Sequence, residues 1–333
     1  MKKRGFYALL LSFCLCVTSL SGCKQPKEQS RNFYLMDTVI SVTIYDISEE
    51  DVDPIFDQCQ KILSELDALW ARGQAGSDIA KWNASTDGDV DLDARTISLL
   101  KKAISVTQET DGAFDITVAP LVDLWKQCET ENRLPTEEEM AAALISVGSD
   151  KLTIEKDQLK KELASVQLDL GAIGKGGAID LLIAYLESCD LQGGLVSFGS
   201  NVAVFGEKTD KTPFKIAIRD PHDQSGVVGS VSLQSGEILS ISGDYERYVM
   251  IDGEKYHHIL SPENGYPAVS GLSTVAVITR DGALADVLST ALFVMGEARA
   301  MELYEAETFD FEAVFIHQDG TIVTTENLSG AEF

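Results

Sequence analysis

A helix that is apolar on almost every side is predicted from Gly282 to Gly296, where the sequence reads GALADVLSTALFVMG. Such a helix offers no face to water and must be buried among other elements. The chain must therefore enclose it in a substantial core, and 44% hydrophobic residues are enough for one. We expect one large domain or two intimately packed lobes.

The polar exceptions in this helix are Asp286, Ser289 and Thr290, whose spacing places one carboxylate and two hydroxyls on a single face. A buried carboxylate needs a compensating partner. Mg²⁺ takes oxygen ligands of this kind and often shares them with substrate phosphates, so the face is a candidate metal site. In the alternative interpretation, Asp286 caps a neighbouring group and the two hydroxyls bond back to their own helix.

The order of the other elements predicts the fold class. Helices with a 3.6-residue apolar period come early, and segments rich in β-branched residues dominate after Gly194. Interleaved βα units followed by a late sheet indicate an α+β, or mixed α/β, fold. The predicted elements are a strand over 33–45, helices over 53–70, 94–110 and 136–145, a packed loop over 110–125, and a strand–turn–helix unit over 166–188.

The turn inside this last unit reads LDLGAIGKGGAID and contains Asp169, four glycines and Lys175. Glycines before a helix N-terminus let the backbone approach an anion closely, and Lys175 adds a positive charge. The spacing matches neither the Walker pattern nor GxGxxG. By itself, the turn is weak evidence for a phosphate site.

Two of the four histidines are adjacent, in a predicted hairpin whose turn is Asp252-Gly253. If residues 255–260 form a strand, His258 and Leu260 share one face and His257 lies on the other. Only one of the two histidines can then line a given cleft. A lone histidine on a strand is either structural or catalytic, and spacing does not separate these roles.

The N-terminus resembles a lipoprotein signal. A basic segment precedes an apolar run, and the LSGC that ends at Cys23 resembles a bacterial lipobox. The resemblance implies that residues 1–22 are a signal peptide and that Cys23 is diacylated, which would anchor the protein to the outer face of a membrane. Residues 23–32 would form the tether linker and residues 33–333 the extracytoplasmic domain. A plain signal peptide or an uncleaved anchor is the alternative.

The charge balance restricts the partners. The chain has 53 acidic and 27 basic residues and a formal net charge of −26. So acidic a surface repels nucleic acid and anionic lipid, and we expect no nucleic-acid partner. A phosphate ligand must therefore be held locally, by a metal ion or by backbone N–H groups at a helix start.

Seven segments between Phe33 and Gly296 together resemble the ApbE family of FAD:protein FMN transferases, and they occur in the family's order. The resemblance implies two packed lobes with a flavin cleft between them. It implies Mg²⁺-dependent transfer of FMN from FAD to a threonine hydroxyl of another protein, with release of AMP. The segments are YLMDTVISV, DGAFDITVAPLVDLW, LDLGAIGKGGAID, FKIAIRDP, SGDYERY, YHHILSPENGYP and ALADVLSTALFVMG.

The resemblance also assigns roles to particular residues. His258, the second histidine of HHI, would be the general base. The carbonyl of Ala172 would bind Mg²⁺ with Asp286 and Thr290, and Ser289 would lie nearby. The residues expected to contact FAD are Met36, Ala113, Phe114, Asp115, Asp169, Lys175 and Leu260.

The implied acceptors are subunits of sodium-pumping quinone reductases, Rnf-type complexes and extracytosolic flavoprotein reductases. Two other functions remain open at this level. One is an FAD pyrophosphatase of the same fold, in which water replaces the threonine and FMN and AMP are both released. The other is a lipoprotein that binds flavin without chemistry. The metal-binding residues and His258 argue against binding alone, but a transferase and a hydrolase need the same groups.

Overall fold

The computed structural model describes residues 28–223 and 225–333. The predicted signal peptide, Cys23 and linker residues 23–27 lie outside this part of the chain. The helices are α1 Glu49–Trp70, α2 Asp78–Ala84, α3 Ala94–Glu109, α4 Ala119–Glu131, α5 Glu137–Leu144, α6 Gly174–Ser188, α7 Gly282–Met295 and α8 Glu297–Glu305. The first strands are β1 Glu28–Leu35, β2 Thr38–Tyr45, β3 Leu152–Glu155, β4 Gln158–Lys161, β5 Gly193–Phe198, β6 Asn201–Gly206 and β7 Phe214–Arg219. The others are β8 Val227–Leu233, β9 Ile238–Gly243, β10 Tyr248–Ile251, β11 Glu254–His257, β12 Leu272–Thr279, β13 Glu312–His317, β14 Ile322–Thr324 and β15 Ala331–Glu332.

An antiparallel sheet of eight strands in the order β1-β2-β5-β6-β9-β12-β13-β14 forms the centre of the molecule. Its two faces are both buried, because alternate residues of one strand enter different clusters. On β12, Val275 and Val277 pack in the larger cluster with the helices. Ala276 and Ile278 pack in a second cluster with the three-stranded sheet β15-β8-β7. The predicted mixed α/β class is confirmed.

A third and smaller apolar cluster joins α4 and α5 to the β10–β11 hairpin. Trp125 lies at its centre, 5.4 Å from the ring of Tyr256, and its indole N–H donates to the carbonyl of Gly265. The hairpin turns at Asp252 and Gly253, both with positive φ, as the sequence predicted. This cluster carries the segment with the two histidines.

Helices α6 and α7 cross at a glycine pair. A Cβ built on Gly176 would lie 1.9 Å from the carbonyl oxygen of Gly282, and one built on Gly282 would lie 2.5 Å from that of Gly176. Asp180 of α6 also accepts hydrogen bonds from the backbone N–H groups of Gly282 and Ala283, at 2.6 and 3.0 Å. The crossing therefore brings the start of α6 against the first turns of α7.

Several sequence-based boundaries were wrong. Residues 33–45 are not one strand, because the chain reverses at Met36 and Asp37, whose φ values are 52° and 55°. Met is not a turn residue and Asp37 is not followed by glycine, so the sequence signal for this turn was weak. Strand β1 begins at Glu28, so residues 28–32 belong to the sheet rather than to the linker. The predicted loop over 110–125 becomes helix α4 from Ala119 onward.

Other boundaries agree more closely with the sequence. Helix α3 lies within the predicted 94–110 segment, and α5 begins after Thr136 with a capping box formed with Glu139. Helix α1 begins at Glu49, earlier than predicted, because Ser48 accepts a hydrogen bond from the N–H of Asp51 as its N-cap. Within the described residues, no helix has both the length and the apolar character needed to cross a membrane.

We predict that Gly176→Ala destabilises the fold by more than about 2 kcal/mol, because overpacked sites cost ~1–3 kcal/mol and here the new methyl meets backbone that cannot rotate away. Denaturant unfolding would measure the loss. Gly73→Ala is the matched control, since a Cβ there meets nothing within 4 Å. Equal stability of the two variants would contradict the close crossing.

Candidate active site

The carboxylate of Asp286 lies at the α6–α7 crossing and is almost wholly buried, with 3% of the residue exposed. Its Oδ2 accepts from the backbone N–H of Gly176 at 3.0 Å. Its Oδ1 accepts from the side-chain amide of Asn201 at 3.0 Å and lies 3.2 Å from the ammonium of Lys175. The compensation that a buried carboxylate needs thus comes from the start of α6 and from β6.

Hydroxyl groups continue from this carboxylate along one side of α7. Ser289 Oγ lies 2.8 Å from Ser242 Oγ on β9, and Ser242 Oγ lies 3.2 Å from Thr290 Oγ1. Both α7 hydroxyls also donate to the carbonyl of Asp286, at 3.0 and 3.4 Å. The predicted shared face and the alternative of bonding back to the helix are therefore both observed.

The glycine-rich turn brings further oxygen atoms to the same place. Lys175 Nζ donates to the carbonyl of Gly171 at 3.2 Å while it contacts Asp286. The carbonyl oxygen of Ala172 accepts no hydrogen bond within the described residues, because the N–H of Gly176, four residues on, donates to Asp286 instead. The carbonyl oxygen of Ala172 is thus left available to a ligand at this site.

These groups fit a hard cation by their chemistry. The described residues contain no group of three or more His, Cys, Asp or Glu side chains placed to hold a metal. A cation here would depend on Asp286 together with neutral oxygens, and the carbonyl of Ala172 and the hydroxyl of Thr290 are of the type that Mg²⁺ takes. The ammonium of Lys175 already contacts two oxygens of this kind, Asp286 Oδ1 and the carbonyl oxygen of Gly171.

His258 is oriented by a single carbonyl group. Its ring Nδ1 lies 2.9 Å from the carbonyl oxygen of Arg247, and its backbone N–H donates to the same oxygen at 3.1 Å. A carbonyl only accepts hydrogen bonds, so Nδ1 must carry the proton. Nε2 of the neutral ring is then the unprotonated nitrogen, and it is free to accept a proton.

The surroundings of His258 favour this neutral form. The residue lies at the surface, yet desolvation by the protein around the ring lowers the pKa of the imidazole to about 4, and the positive charges of Arg247 and Lys175 act in the same direction. The hydrogen bond to the carbonyl of Arg247 opposes the shift. The influence of Lys175 also connects the histidine electrostatically with the Asp286 site.

His257 has a structural environment. Its Nε2 donates to the carbonyl of Ala268 at 3.1 Å, and its ring packs edge-on against Phe293 of α7, with centroids 5.6 Å apart. His257 therefore packs within the protein. The strand used in the parity argument was too long, however, because β11 ends at His257 and His258 lies in the bend that follows. The separation of the two rings comes from the bend as well as from strand alternation.

The residues expected to contact flavin are divided among several parts of the fold. Met36 lies at the β1–β2 turn, where its Cε would be 3.6 Å from a Cβ on Gly174 at the start of α6. Leu260 packs on the third cluster. Ala113 and Phe114 are buried. The structure therefore brings Met36 and Lys175 to the start of α6, and the flavin contacts themselves stay predictions.

Asp115 is already engaged within the protein. Its Oδ1 accepts from the N–H and hydroxyl of Thr117 at 2.7 and 2.6 Å, and its Oδ2 accepts from the N–H of Ser149 at 2.7 Å. Burial raises the pKa of this carboxyl despite those bonds. Asp115 ties the loop before α4 to the segment before β3, a role that the sequence did not suggest.

Asp169 contacts a residue that sequence reasoning missed. Its Oδ1 accepts from the N–H of Gly171 at 2.8 Å, and its Oδ2 lies 3.3 Å from Nε of Arg72. Arg72 also makes two hydrogen bonds, at 2.9 and 2.8 Å, to Asp123 of α4. The arginine thus connects the glycine-rich turn with the helix that carries the third cluster.

Asn201, Ser240 and Ser242 were also missed as site residues. Asn201 and Ser240 are fully buried, and Ser240 Oγ donates to Asn201 Oδ1 at 2.9 Å. A signal existed in LSIS, where two hydroxyls occupy alternate positions of a buried strand and so share one face. For Asn201 the only signal was its place directly after a Gly-Ser turn.

The ApbE family model matches residues 36–315 of this chain, which include Asp286, Lys175 and His258. The chain belongs to the ApbE family. Among its relatives, an FAD:protein FMN transferase from Vibrio cholerae is 30% identical over 311 residues, covering 90% of this chain and 92% of that protein. One of the same name from Haemophilus influenzae is 31% identical over 338 residues, covering 96% and 92%.

Solved structures agree with this membership of the ApbE family. The ApbE protein of Thermotoga maritima superposes with a TM-score of 0.81 at 31% identity, covering 90% of this chain and 97% of that one. The flavin transferase ApbE of Vibrio cholerae gives 0.78 at 26% identity with the same coverage. The predicted family is confirmed, and the predicted enzyme class, a transferase, is that of the named relatives.

We predict that the ring of His258 titrates clearly below pH 6.5, the ordinary value for histidine. The shift is downward because desolvation and nearby cations both disfavour the protonated form. NMR titration of the imidazole C–H resonances would measure it, with the His258→Gln variant identifying the signal and urea-unfolded protein giving the reference. A midpoint at or above 6.5 in the folded protein would contradict the site geometry.

Proposed function

We propose that this chain transfers FMN from FAD to a threonine hydroxyl of an acceptor protein and releases AMP. The observation that carries the proposal is the orientation of His258, an exposed residue whose Nδ1 is held by the carbonyl of Arg247, so that Nε2 is the unprotonated nitrogen. An exposed base suits a hydroxyl that arrives on another protein. The names of the relatives, FAD:protein FMN transferase, support this reaction.

The chain's own groups account for the proton and the phosphate charge. Nε2 of His258 takes the proton from the acceptor hydroxyl as that oxygen forms a bond to the FMN phosphorus. The bond between this phosphorus and the bridging oxygen breaks, and AMP leaves with that oxygen. Lys175, at the start of α6, is placed to bind the diphosphate of FAD, because its positive charge attracts anions.

A magnesium ion belongs to this proposal as the group that neutralises the diphosphate. Asp286, Thr290 and the carbonyl of Ala172 would hold it, with Ser289 supporting Thr290 through Ser242. When bound, Mg²⁺ would supply the electrostatic stabilisation on which phosphoryl transfer mainly depends. A protein of net charge −26 has few other cations to offer an anionic substrate.

The decisive experiment combines the purified protein, FAD, Mg²⁺ and a candidate acceptor domain from a sodium-pumping quinone reductase or an Rnf-type complex. Mass spectrometry would follow the acceptor, and chromatography would follow AMP and free FMN. We expect the acceptor to gain one FMN for each AMP released. AMP with free FMN and an unmodified acceptor would identify an FAD pyrophosphatase instead. Flavin binding without AMP would overturn catalysis.

We predict that His258→Ala lowers the transfer rate about 10²-fold or more, the usual contribution of a general base, while FAD still binds. His257→Ala is the matched control. It removes a neighbouring imidazole that packs on Phe293, so it should cost stability more than rate. Stopped assays of FMN transfer and flavin fluorescence titrations would measure the two effects. Equal rate losses in both variants would contradict the role of His258.

The cellular location is part of the same proposal. The lipobox-like LSGC supports lipidation of Cys23 and attachment to the outer face of the cell membrane, where extracytosolic acceptors would be reached. Mass spectrometry of the N-terminal peptide from membranes would test it. A peptide that begins upstream of Cys23, or a Cys23 without lipid, would refute it.

A further inference from the structure

The ammonium of Lys175 occupies a cation position in the free protein. It lies 3.2 Å from Asp286 Oδ1 and 3.2 Å from the carbonyl oxygen of Gly171. The Lys175 side chain is 22% exposed and that of Asp286 4%. The other groups that reach this carboxylate, the N–H of Gly176, the amide of Asn201 and the hydroxyl of Ser240, are all neutral. Lys175 therefore provides the only full positive charge on Asp286 among the described residues.

A metal ion at Asp286 would compete with that ammonium for the same oxygen. Metal–oxygen distances for Mg²⁺ are about 2.0–2.1 Å, so a metal ligated by Oδ1 and an ammonium hydrogen-bonded to it would be close neighbours. Like charges at such a distance in a buried site repel strongly. Asp286 Oδ1 cannot bind both cations at full strength. When the metal ion binds, much of the favourable interaction between Oδ1 and the ammonium of Lys175 is lost.

The lysine has both the flexibility and the room to leave. Its ammonium is a point charge on a four-carbon stem with freely rotating bonds. The Cδ of Lys175 lies near Gly199, where a Cβ would be 3.8 Å from it, so residue 199 itself places no side chain against the stem. Glu246 lies within electrostatic reach of Lys175, as does His258. Glu246 is thus one anion near the ammonium, and the diphosphate of bound FAD would be another.

We infer that Lys175 is an internal competitor for the metal: its ammonium holds Asp286 in the free protein, keeps the affinity for divalent cations low, and moves to the substrate diphosphate when metal and FAD bind. This inference rests on the metal assignment of the proposed function. Divalent metal binds more tightly once FAD is present, because the diphosphate then offers Lys175 an anion in place of Asp286.

The test measures metal binding directly, with neither FAD nor acceptor present. Free Mn²⁺ is followed by electron paramagnetic resonance in titrations of the wild-type protein and of Lys175→Met. We expect the variant to bind Mn²⁺ about 10-fold more tightly, a coupling within the range usual between two sites. Lys175→Arg keeps the charge and should bind no more tightly than wild type. Affinity in Lys175→Met equal to or below that of wild type would overturn the inference.

Two controls separate the possible failures. Lys61→Met removes an exposed lysine of α1. If its Mn²⁺ affinity rises as much as that of Lys175→Met, the increase is a general effect of net charge and the inference is overturned. Asp286→Asn should abolish Mn²⁺ binding at the site. If it does, but Lys175→Met binds Mn²⁺ no more tightly than wild type, then Lys175 does not compete with the metal and the metal assignment stands. If Asp286→Asn still binds Mn²⁺ like wild type, the metal assignment itself fails, and competition fails with it.

A second measurement uses the unaltered sequence, so it does not depend on the folding of a variant. An amine-reactive ester labels accessible lysines, and mass spectrometry compares Lys175 with Lys61 with and without saturating Mg²⁺. We expect labelling of Lys175 relative to Lys61 to rise when Mg²⁺ is present, because the displaced ammonium leaves its buried position. Unchanged or reduced relative labelling at saturating Mg²⁺ would overturn the inference.

Discussion

The close crossing of α6 and α7 is the constraint on which the rest of the site depends. Gly176 and Gly282 let the two backbones approach to a distance that no Cβ tolerates. As a result, the N–H of Gly176 reaches Asp286 instead of the carbonyl of Ala172. The same contact therefore anchors the buried carboxylate and leaves the carbonyl oxygen of Ala172 without a hydrogen bond from the described residues.

Burial of Asp286 determines which groups surround it. A carboxylate without water needs hydrogen-bond donors and positive charge. Asn201 and Ser240 come from β6 and β9, the neighbouring strands of the large sheet, and Lys175 comes from the glycine-rich turn. A chain with 53 acidic residues thus concentrates one lysine, several neutral dipoles and the start of a helix at the place where it would handle a diphosphate.

The histidine belongs to a different part of the fold. The β10–β11 hairpin is held by the cluster around Trp125, and the carbonyl of Arg247 sets the tautomer of His258. Arg72 connects the glycine-rich turn to α4 of that cluster through Asp169 and Asp123. His258 and the Asp286 site are therefore positioned by separate packing clusters. Contacts such as those of Arg72 connect the two clusters.

The sequence by itself determined what depends on composition and period. The apolar character of residues 282–296 required a buried helix, the spacing of Asp286, Ser289 and Thr290 placed them on one face, and Asp252-Gly253 marked its turn. It did not reveal the reversal at Met36-Asp37, because Met is not a turn residue and Asp37 is not followed by glycine. Nor did it reveal Asn201, Ser240, Ser242 or Arg72. Only tertiary structure decided those, and it also placed Lys175 on Asp286, because such partners meet across strand pairings and helix crossings that no local pattern encodes.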